Sequence, residues 1–112
     1  KDAQPMSALF EQRGEKRLQR LADSHADLFA DLVSIFQGRE KRNVFSSDTA
    51  VILYPLPKLP VLICYWLPDE DLGSKLNIFF DAPADSPLPV ESIFELTIGM
   101  VMMFEKIAVR HR

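Results

Sequence analysis

The hydrophobic residues between positions 16 and 37 recur at helical spacing. Charged and polar residues occupy the other side of the same stretch, which is typical of a helix packed on a core. Gly38 is a natural C-terminal stop, and Arg39, Lys41 and Arg42 follow where cations favour the end of a helix dipole. We therefore expect one amphipathic helix over 16–37. Its apolar side consists of Leu18, Leu21, Ala22, His25, Leu28, Phe29, Leu32, Val33 and Phe36.

Three later runs have the composition of β-strands. Residues 49–54, 61–66 and 75–80 are rich in β-branched and aromatic side chains and are bounded by turn-forming residues. Their connections, PLPKLP and LPDEDLGS, are short, which favours an antiparallel meander. The prolines of the first connection lack backbone donors, so we expect no strand pairing there.

The predicted strands do not alternate cleanly between apolar and polar residues. In the middle run, alternate positions are apolar on both sides of the strand, and only the third run places Lys75 and Asn77 among its apolar residues. A sheet that is apolar on both faces must be covered on both. We expect the helices to cover one face, and a second copy or another part of a longer chain to cover the remaining apolar surface.

A second helix is predicted to begin near Pro89, which suits a first helical position, and to run to about Val109. Apolar residues surround it almost completely, so we expect it to be buried on most sides, and it is too short for a membrane span. Met100, Met102 and Met103 raise the alternative of an adaptable contact surface, although ordinary core packing is the favoured interpretation.

These patterns predict an α+β fold: an N-terminal amphipathic helix, a three-stranded antiparallel meander and a C-terminal buried helix. Residues 1–15 are expected to form an N-terminal extension, and residues 16–112 a single domain. A length of 112 residues suits one modest core. The net charge of −3, which arises around the strands, does not favour nucleic acid as a partner. A single cysteine and no signal-peptide pattern predict a cytoplasmic protein without a membrane partner.

From Leu56 onward the sequence resembles an uncharacterised domain family of bacteria and archaea. The family pattern has an LP-x-x-P step, an apolar run ending in Trp, an acidic DE, a strand closing in N-x-x-F-D, and an LP-x-E that opens the last helix. The matching residues are Leu56, Pro57, Pro60, Trp66, Asp69, Glu70, Asn77, Phe80, Asp81, Leu88, Pro89 and Glu91.

The resemblance covers most of 16–109 and implies no established activity. Its members are frequent in anaerobes and usually carry an additional N-terminal half, so we expect this chain to correspond to the C-terminal part. Some members are associated with iron–sulfur or corrinoid proteins. The resemblance therefore implies an alternative role as an accessory domain that docks to such a redox enzyme, while one cysteine cannot itself hold a cluster.

Candidate site residues are few. Lys58, Asp81 and Glu91 are expected to share one rim of the sheet and could bind a small ligand. Asp81 and Glu91 could alternatively be the acid and base of a small enzyme, although they suit a loop cap and a helix terminus better. The acidic residues of the turn after Trp66 are expected to be solvated and to bind no metal. Two further residues, His25 and Cys64, are expected to be packing residues rather than a ligand and a nucleophile.

The sequence therefore predicts a non-catalytic interaction or small-ligand-binding module that self-associates and needs no cofactor. A homodimer is expected, formed through an apolar sheet face or through the C-terminal helix. The redox-partner role and the small enzyme are the alternatives.

Overall fold

A computed structural model describes residues 10–25, 27–36, 38–41, 44–56, 59–80 and 88–110. Within these ranges the chain forms three α-helices and one four-stranded antiparallel sheet, so the α+β class is confirmed. The elements are α1 (Lys16–Ser24), α2 (Leu28–Ile35), β1 (Arg39–Lys41), β2 (Thr49–Leu56), β3 (Leu59–Trp66), β4 (Lys75–Phe80) and α3 (Val90–Arg110). A π-helical turn, Glu11–Glu15, leads into α1, and a 3-10 turn, Val44–Ser46, precedes β2.

The strands lie in the order β1-β2-β3-β4, which confirms the antiparallel meander. The prediction of three strands is wrong, because Arg39, Glu40 and Lys41 form a short edge strand on β2. Arg39 and Lys41, expected beside the end of a helix dipole, belong to this strand instead, and Arg42 lies outside the described residues. A strand of charged and exposed residues has no hydrophobic pattern, so its pairing with β2 left no signal in the sequence.

The connection between β2 and β3 is shorter than predicted. The strands extend into the proline-rich segment, and Leu56 pairs with Leu59, which corrects the expectation that pairing is forbidden there. The register shifts between Leu53 and Leu56, and such bulges are the positions at which a strand accommodates proline.

The predicted helix over 16–37 is two helices, and the break lies at His25. This residue has an extended backbone, with φ −134° and ψ 103°. The Ser24 hydroxyl donates to the carbonyl oxygens of Arg20 and Leu21 at 3.2 Å each, and His25 Nδ1 lies 3.1 Å from the Leu21 oxygen. These side chains satisfy carbonyls at the end of α1, which stabilises a helix end where the hydrophobic pattern alone shows none.

All three helices pack on one face of the sheet. The strand residues that share a core with the helices are Val51, Leu53, Val61, Ile63, Tyr65, Leu76 and Ile78. Helix α3 contributes Met100, Val101 and Phe104 to this core. Its opposite side is open, with Met102 and Met103 43% and 42% exposed, so the helix is less completely buried than predicted.

The turn before α1 is part of the same core. The Phe10 ring lies 5.9 Å from that of Phe80 and 4.8 Å from that of Phe94, measured between centroids. Further along, Arg17 makes a two-pronged ion pair with Glu105, at 3.0 Å and 2.5 Å, which connects α1 to α3. Both side chains are about one-third exposed, so the pair contributes at most about 1 kcal/mol.

Gly38 connects α2 to the sheet. Its N–H donates to the Val33 carbonyl at 2.9 Å, which confirms its role after the helix end. A Cβ atom at this position would lie 2.5 Å from the Ile52 carbonyl oxygen and 2.5 Å from Cδ2 of Leu53. Only glycine therefore lets the chain pass this close to β2.

We expect Gly38→Ala to lower the free energy of unfolding by about 2 kcal/mol, because the β2 backbone must move to admit a methyl group. Urea denaturation measures the change. Gly73→Ala is the matched control, since a Cβ atom there meets nothing within 4 Å. Equal effects of the two substitutions would contradict the steric explanation.

Candidate interaction surface

The second face of the sheet packs against none of the helical residues of the core. We call it the open face. Alternation along the strands and the register between them place the following residues on it: Arg39, Lys41, Ala50, Ile52, Tyr54, Leu62, Cys64, Trp66, Lys75, Asn77 and Phe79. The expectation that the sheet is apolar on both sides is confirmed, because the register places Ile52, Leu62 and Phe79 on the side opposite the core. Ile52 and Leu62 are only partly buried there.

Aromatic side chains give the open face most of its exposed apolar surface. Tyr54 is 42% exposed and Phe79 40% exposed. Phe45, in the 3-10 turn, lies across the face with its ring 5.2 Å from that of Phe79, and it is 65% exposed. Phe45 and Ser46 have positive φ values of 51° and 58°, a conformation that costs energy in residues other than glycine. An exposed aromatic ring is therefore carried on a backbone conformation that is unfavourable for phenylalanine.

The charges on the open face are all positive at its described strand positions. Arg39 pairs with Ile52 and Lys41 with Ala50, so both point to this side, whereas Glu40 pairs with Val51 and points to the other. Lys75 joins them from β4. Its Nζ lies 5.1 Å from the ring centroid of Trp66, a cation–π contact. The face is therefore apolar and aromatic, with cations on both edge strands.

The acidic turn, residues 67–74, connects β3 to β4 at one end of this face. Asp69 organises it: its Oδ1 accepts from the N–H groups of Asp71 and Leu72 at 3.0 and 2.8 Å, and its own N–H donates to the Leu72 carbonyl. Leu67 and Leu72 are 60% and 69% exposed. Within the described ranges no group of three or more His, Cys, Asp or Glu side chains could share a metal ion.

Both ends of the acidic turn are fixed by hydrogen bonds. At the start, the Leu67 N–H donates to Asp48 Oδ2 at 2.8 Å. At the end, the Ser74 hydroxyl donates to Asp23 Oδ2 at 2.9 Å, and Gln19 Nε2 donates to both the Ser74 carbonyl and hydroxyl oxygens at 2.9 and 3.1 Å. The turn is thus held in one shape relative to the sheet and α1.

Tyr65 belongs to the same network, which sequence reasoning missed. Its hydroxyl donates to Asp23 Oδ1 at 2.5 Å. Burial of the ring, with the adjacent Asp23 carboxylate as the second cause, raises the pKa of Tyr65 from 10.0 to about 12. Partners separated by 42 residues in α1 and β3 carry no local sequence signal. The raised pKa keeps the hydroxyl protonated as a donor.

The predicted rim site is described only in part. Lys58 and Asp81 lie outside the described residues. Glu91 lies in the first turn of α3 and is exposed, as expected for a residue near a helix N-terminus.

Two further concavities lie along the helices. One is a cleft whose lining includes His25 and Asp31. Its volume of about 70 Å³ is well below the roughly 300 Å³ of common ligand pockets. The His25 Nδ1 lies 3.1 Å from the Leu21 carbonyl oxygen, so the ring has a partner in the adjacent helix backbone. An open groove of about 330 Å³ runs along the outer side of α3, past Leu96, Gly99 and Met103.

Cys64 is fully buried, which confirms the expected packing role, although it lies on the open face beside the Ser47 segment. Burial raises the pKa of its thiol above 9.0, and a hydrogen bond with Ser47 opposes this shift only in part. A nucleophilic cysteine requires the opposite shift.

The thiol of Cys64, the only cysteine, should react slowly with a disulfide reagent in the folded protein. We expect a rate at least about tenfold below that of the urea-unfolded chain, because attack requires an exposed thiolate. Stopped-flow absorbance with an aromatic disulfide measures both rates. Similar rates in the two states would show that the thiol is accessible.

Deprotonation of Tyr65 should lower the free energy of unfolding at high pH. Its folded-state pKa lies above the ordinary value, so its stabilising contribution is complete below about pH 10 and is lost as the pH rises towards 12. In a Tyr54→Phe variant Tyr65 is the only tyrosine, and its ultraviolet titration should have a midpoint near 12.

Tyr65→Phe should lower the free energy of unfolding by about 1 kcal/mol at pH 7, because Asp23 loses a donor. The same variant should lose the Tyr65 part of the decline between pH 10 and 12, whereas Tyr54→Phe should retain it. Urea denaturation at several pH values makes the comparison. An unchanged decline in Tyr65→Phe would assign it to other groups.

No helix in the described ranges is long and apolar enough to cross a membrane.

Comparison with known proteins identifies a family. No curated protein and no solved structure matches the chain significantly. A family model described as a domain of unknown function, DUF3786, matches residues 1–103, in agreement with the resemblance to an uncharacterised domain family. The bacterial and archaeal origin and the iron–sulfur association stay predictions. The chain therefore belongs to the DUF3786 family of domains of unknown function.

Proposed function

We propose that this domain is a non-catalytic interaction module that self-associates through the open face. The observation that carries the proposal is the presence of helices on one face of a sheet that is apolar on both. Exposed apolar surface of this kind marks protein interaction sites, and burying it in a homodimer would remove it from water.

The composition of the open face supports this use. Aromatic residues contribute disproportionately to binding energy at protein interfaces. Tyr54 and Phe79 offer rings that are 42% and 40% exposed on the sheet, and Phe45, 65% exposed, adds a third ring from the 3-10 turn. Lys75 packs on Trp66 at the border of this surface, where a polar rim belongs.

The two edges of the sheet are poorly suited to association. Strand β1 presents only charged side chains, which oppose the addition of another strand. At the other edge, Glu15 Oε2 accepts the Ile78 N–H at 2.7 Å, so a donor of β4 already has a partner. Stacking of faces therefore suits this sheet better than extension of the sheet.

Two features, the small cleft at His25 and the protonated Tyr65, favour a binding role over a catalytic one. The cleft beside His25 is small, and its histidine is engaged with the backbone. Tyr65 holds its proton because its pKa is raised, so it does not suit a general base at neutral pH.

The oligomeric state tests the proposal. We expect sedimentation velocity at micromolar to high-micromolar concentrations to show a dimer of the unmodified chain. Phe79→Lys should shift it to monomer, because it places a charge in the apolar interface. Met102→Lys is the matched control, since Met102 is similarly exposed, at 43%, on the outer side of α3.

Circular dichroism should confirm that both variants fold. A monomer of the unmodified chain at high-micromolar concentration would exclude self-association. Loss of the dimer in Met102→Lys with retention in Phe79→Lys would instead assign the interface to the C-terminal helix.

A further inference from the structure

We propose that the acidic turn of each copy docks on the open face of a second copy, with its carboxylates facing Arg39, Lys41 and Lys75. The proposal rests on self-association through the open face and specifies what covers that face. It assigns a binding role to residues 67–74 beyond the part that Asp69 plays in closing the turn.

Exposed apolar side chains are the first reason. Leu72, Phe45 and Leu67 have the largest exposures among the large hydrophobic residues of the described chain, at 69%, 65% and 60%. Two of them lie on the acidic turn and the third lies over the open face. A single contact between turn and face would remove all three from water.

Charge complementarity is the second reason. The described strand positions of the open face carry cations and no carboxylates, whereas Asp69, Glu70 and Asp71 follow one another in the turn. Face-to-face stacking of two copies without the turns would bring cations towards cations. Seating the turn on the face removes this repulsion and gives the encounter complementary charges.

The turn lies far from Arg39 of its own face. Its ends are fixed to Asp48 at Leu67 and to Asp23 at Ser74. Arg39 lies in the row of Ile52 and Leu62, four residues along β3 from Trp66, which corresponds to about 13 Å at 3.3 Å per residue. Lys75 pairs with Trp66 and lies beside its own turn, whereas Arg39 can meet an acidic turn only on another molecule.

The fixed shape of the turn also favours binding. Asp69 closes the turn internally, and the hydrogen bonds at both ends hold it against the sheet. A segment that is ordered before it binds loses little conformational entropy on binding. The leucines are thus presented by a preorganised loop.

Each copy carries one turn and one face, so two copies related by a two-fold axis make the contact twice. Such a reciprocal arrangement closes at a dimer and does not propagate into fibres.

Single-stranded nucleic acid is the competing occupant, since it too favours aromatic rings with nearby cations. The three consecutive acids beside Trp66 repel phosphates and favour the second copy.

A charge-swap experiment tests the proposal. The face variant is Arg39→Glu with Lys41→Glu, and the turn variant is Glu70→Lys with Asp71→Lys. The turn variant spares Asp69, whose side chain closes the turn. We expect each variant alone to weaken the dimer at least about tenfold, because every reciprocal contact becomes a like-charge contact.

Mixing the two variants should restore a heterodimer. One contact then joins an unmodified turn to an unmodified face, and the other joins a cationic turn to an acidic face. Sedimentation velocity measures the dissociation constants. Emission of Trp66, the only tryptophan, reports the contact directly from the open face.

A matched control reverses charges on the outer side of α3, with Glu95→Lys and Lys106→Glu, and should leave the dimer unchanged. Lys75→Glu provides a second face variant if the β1 substitutions disturb the edge strand. It should weaken the dimer and be rescued by the turn variant in the same way.

The outcomes separate the two proposals. Turn docking would be overturned if the charge reversals left the dissociation constant of the dimer unchanged, or if they weakened the dimer and mixing the variants did not restore it. Self-association would stand in both cases. A monomeric unmodified chain would overturn both. Binding of a labelled oligo-dT that is lost in the face variant, without a protein dimer, would assign the face to nucleic acid instead.

Discussion

The structure depends on one imbalance: the sheet is apolar on both faces, but a single layer of helices covers it. Helices α1, α2 and α3 share one core with alternate residues of β2, β3 and β4. The other alternate residues include Tyr54 and Phe79, which remain exposed. Burial of the first face holds the domain together, whereas the second face leaves apolar side chains in contact with water.

The sequence could predict this imbalance because strand alternation directly reports which side each residue faces. Residues 75–80 are assigned correctly from composition alone, and the neighbouring strands differ only at their ends. The edge strand β1 was not predicted, because its residues are all charged and exposed. The helix break escaped because the side-chain bonds of Ser24 and His25 end α1 without any proline or glycine.

The distribution of charge between the two faces of the sheet can be seen only in the three-dimensional structure. Along the chain, Arg39, Glu40 and Lys41 are a mixed-charge run, and the acidic residues near the strands lie in the connections between them. Pairing with β2 places Glu40 on the side opposite to Arg39 and Lys41, so the two cations share the open face. The network around Asp23 is similar, because residues of α1, β3 and the acidic turn meet only after the sheet has formed.

The strand order also has a kinetic consequence. Each strand pairs with its immediate neighbour in sequence, so the sheet can assemble through local hairpins without closing long loops. Helix α3 follows the strands in the sequence and adds Met100, Val101 and Phe104 to the core. Until it docks, only α1 and α2 can cover one face of the sheet, and the charged β1 edge opposes pairing with strands of neighbouring chains.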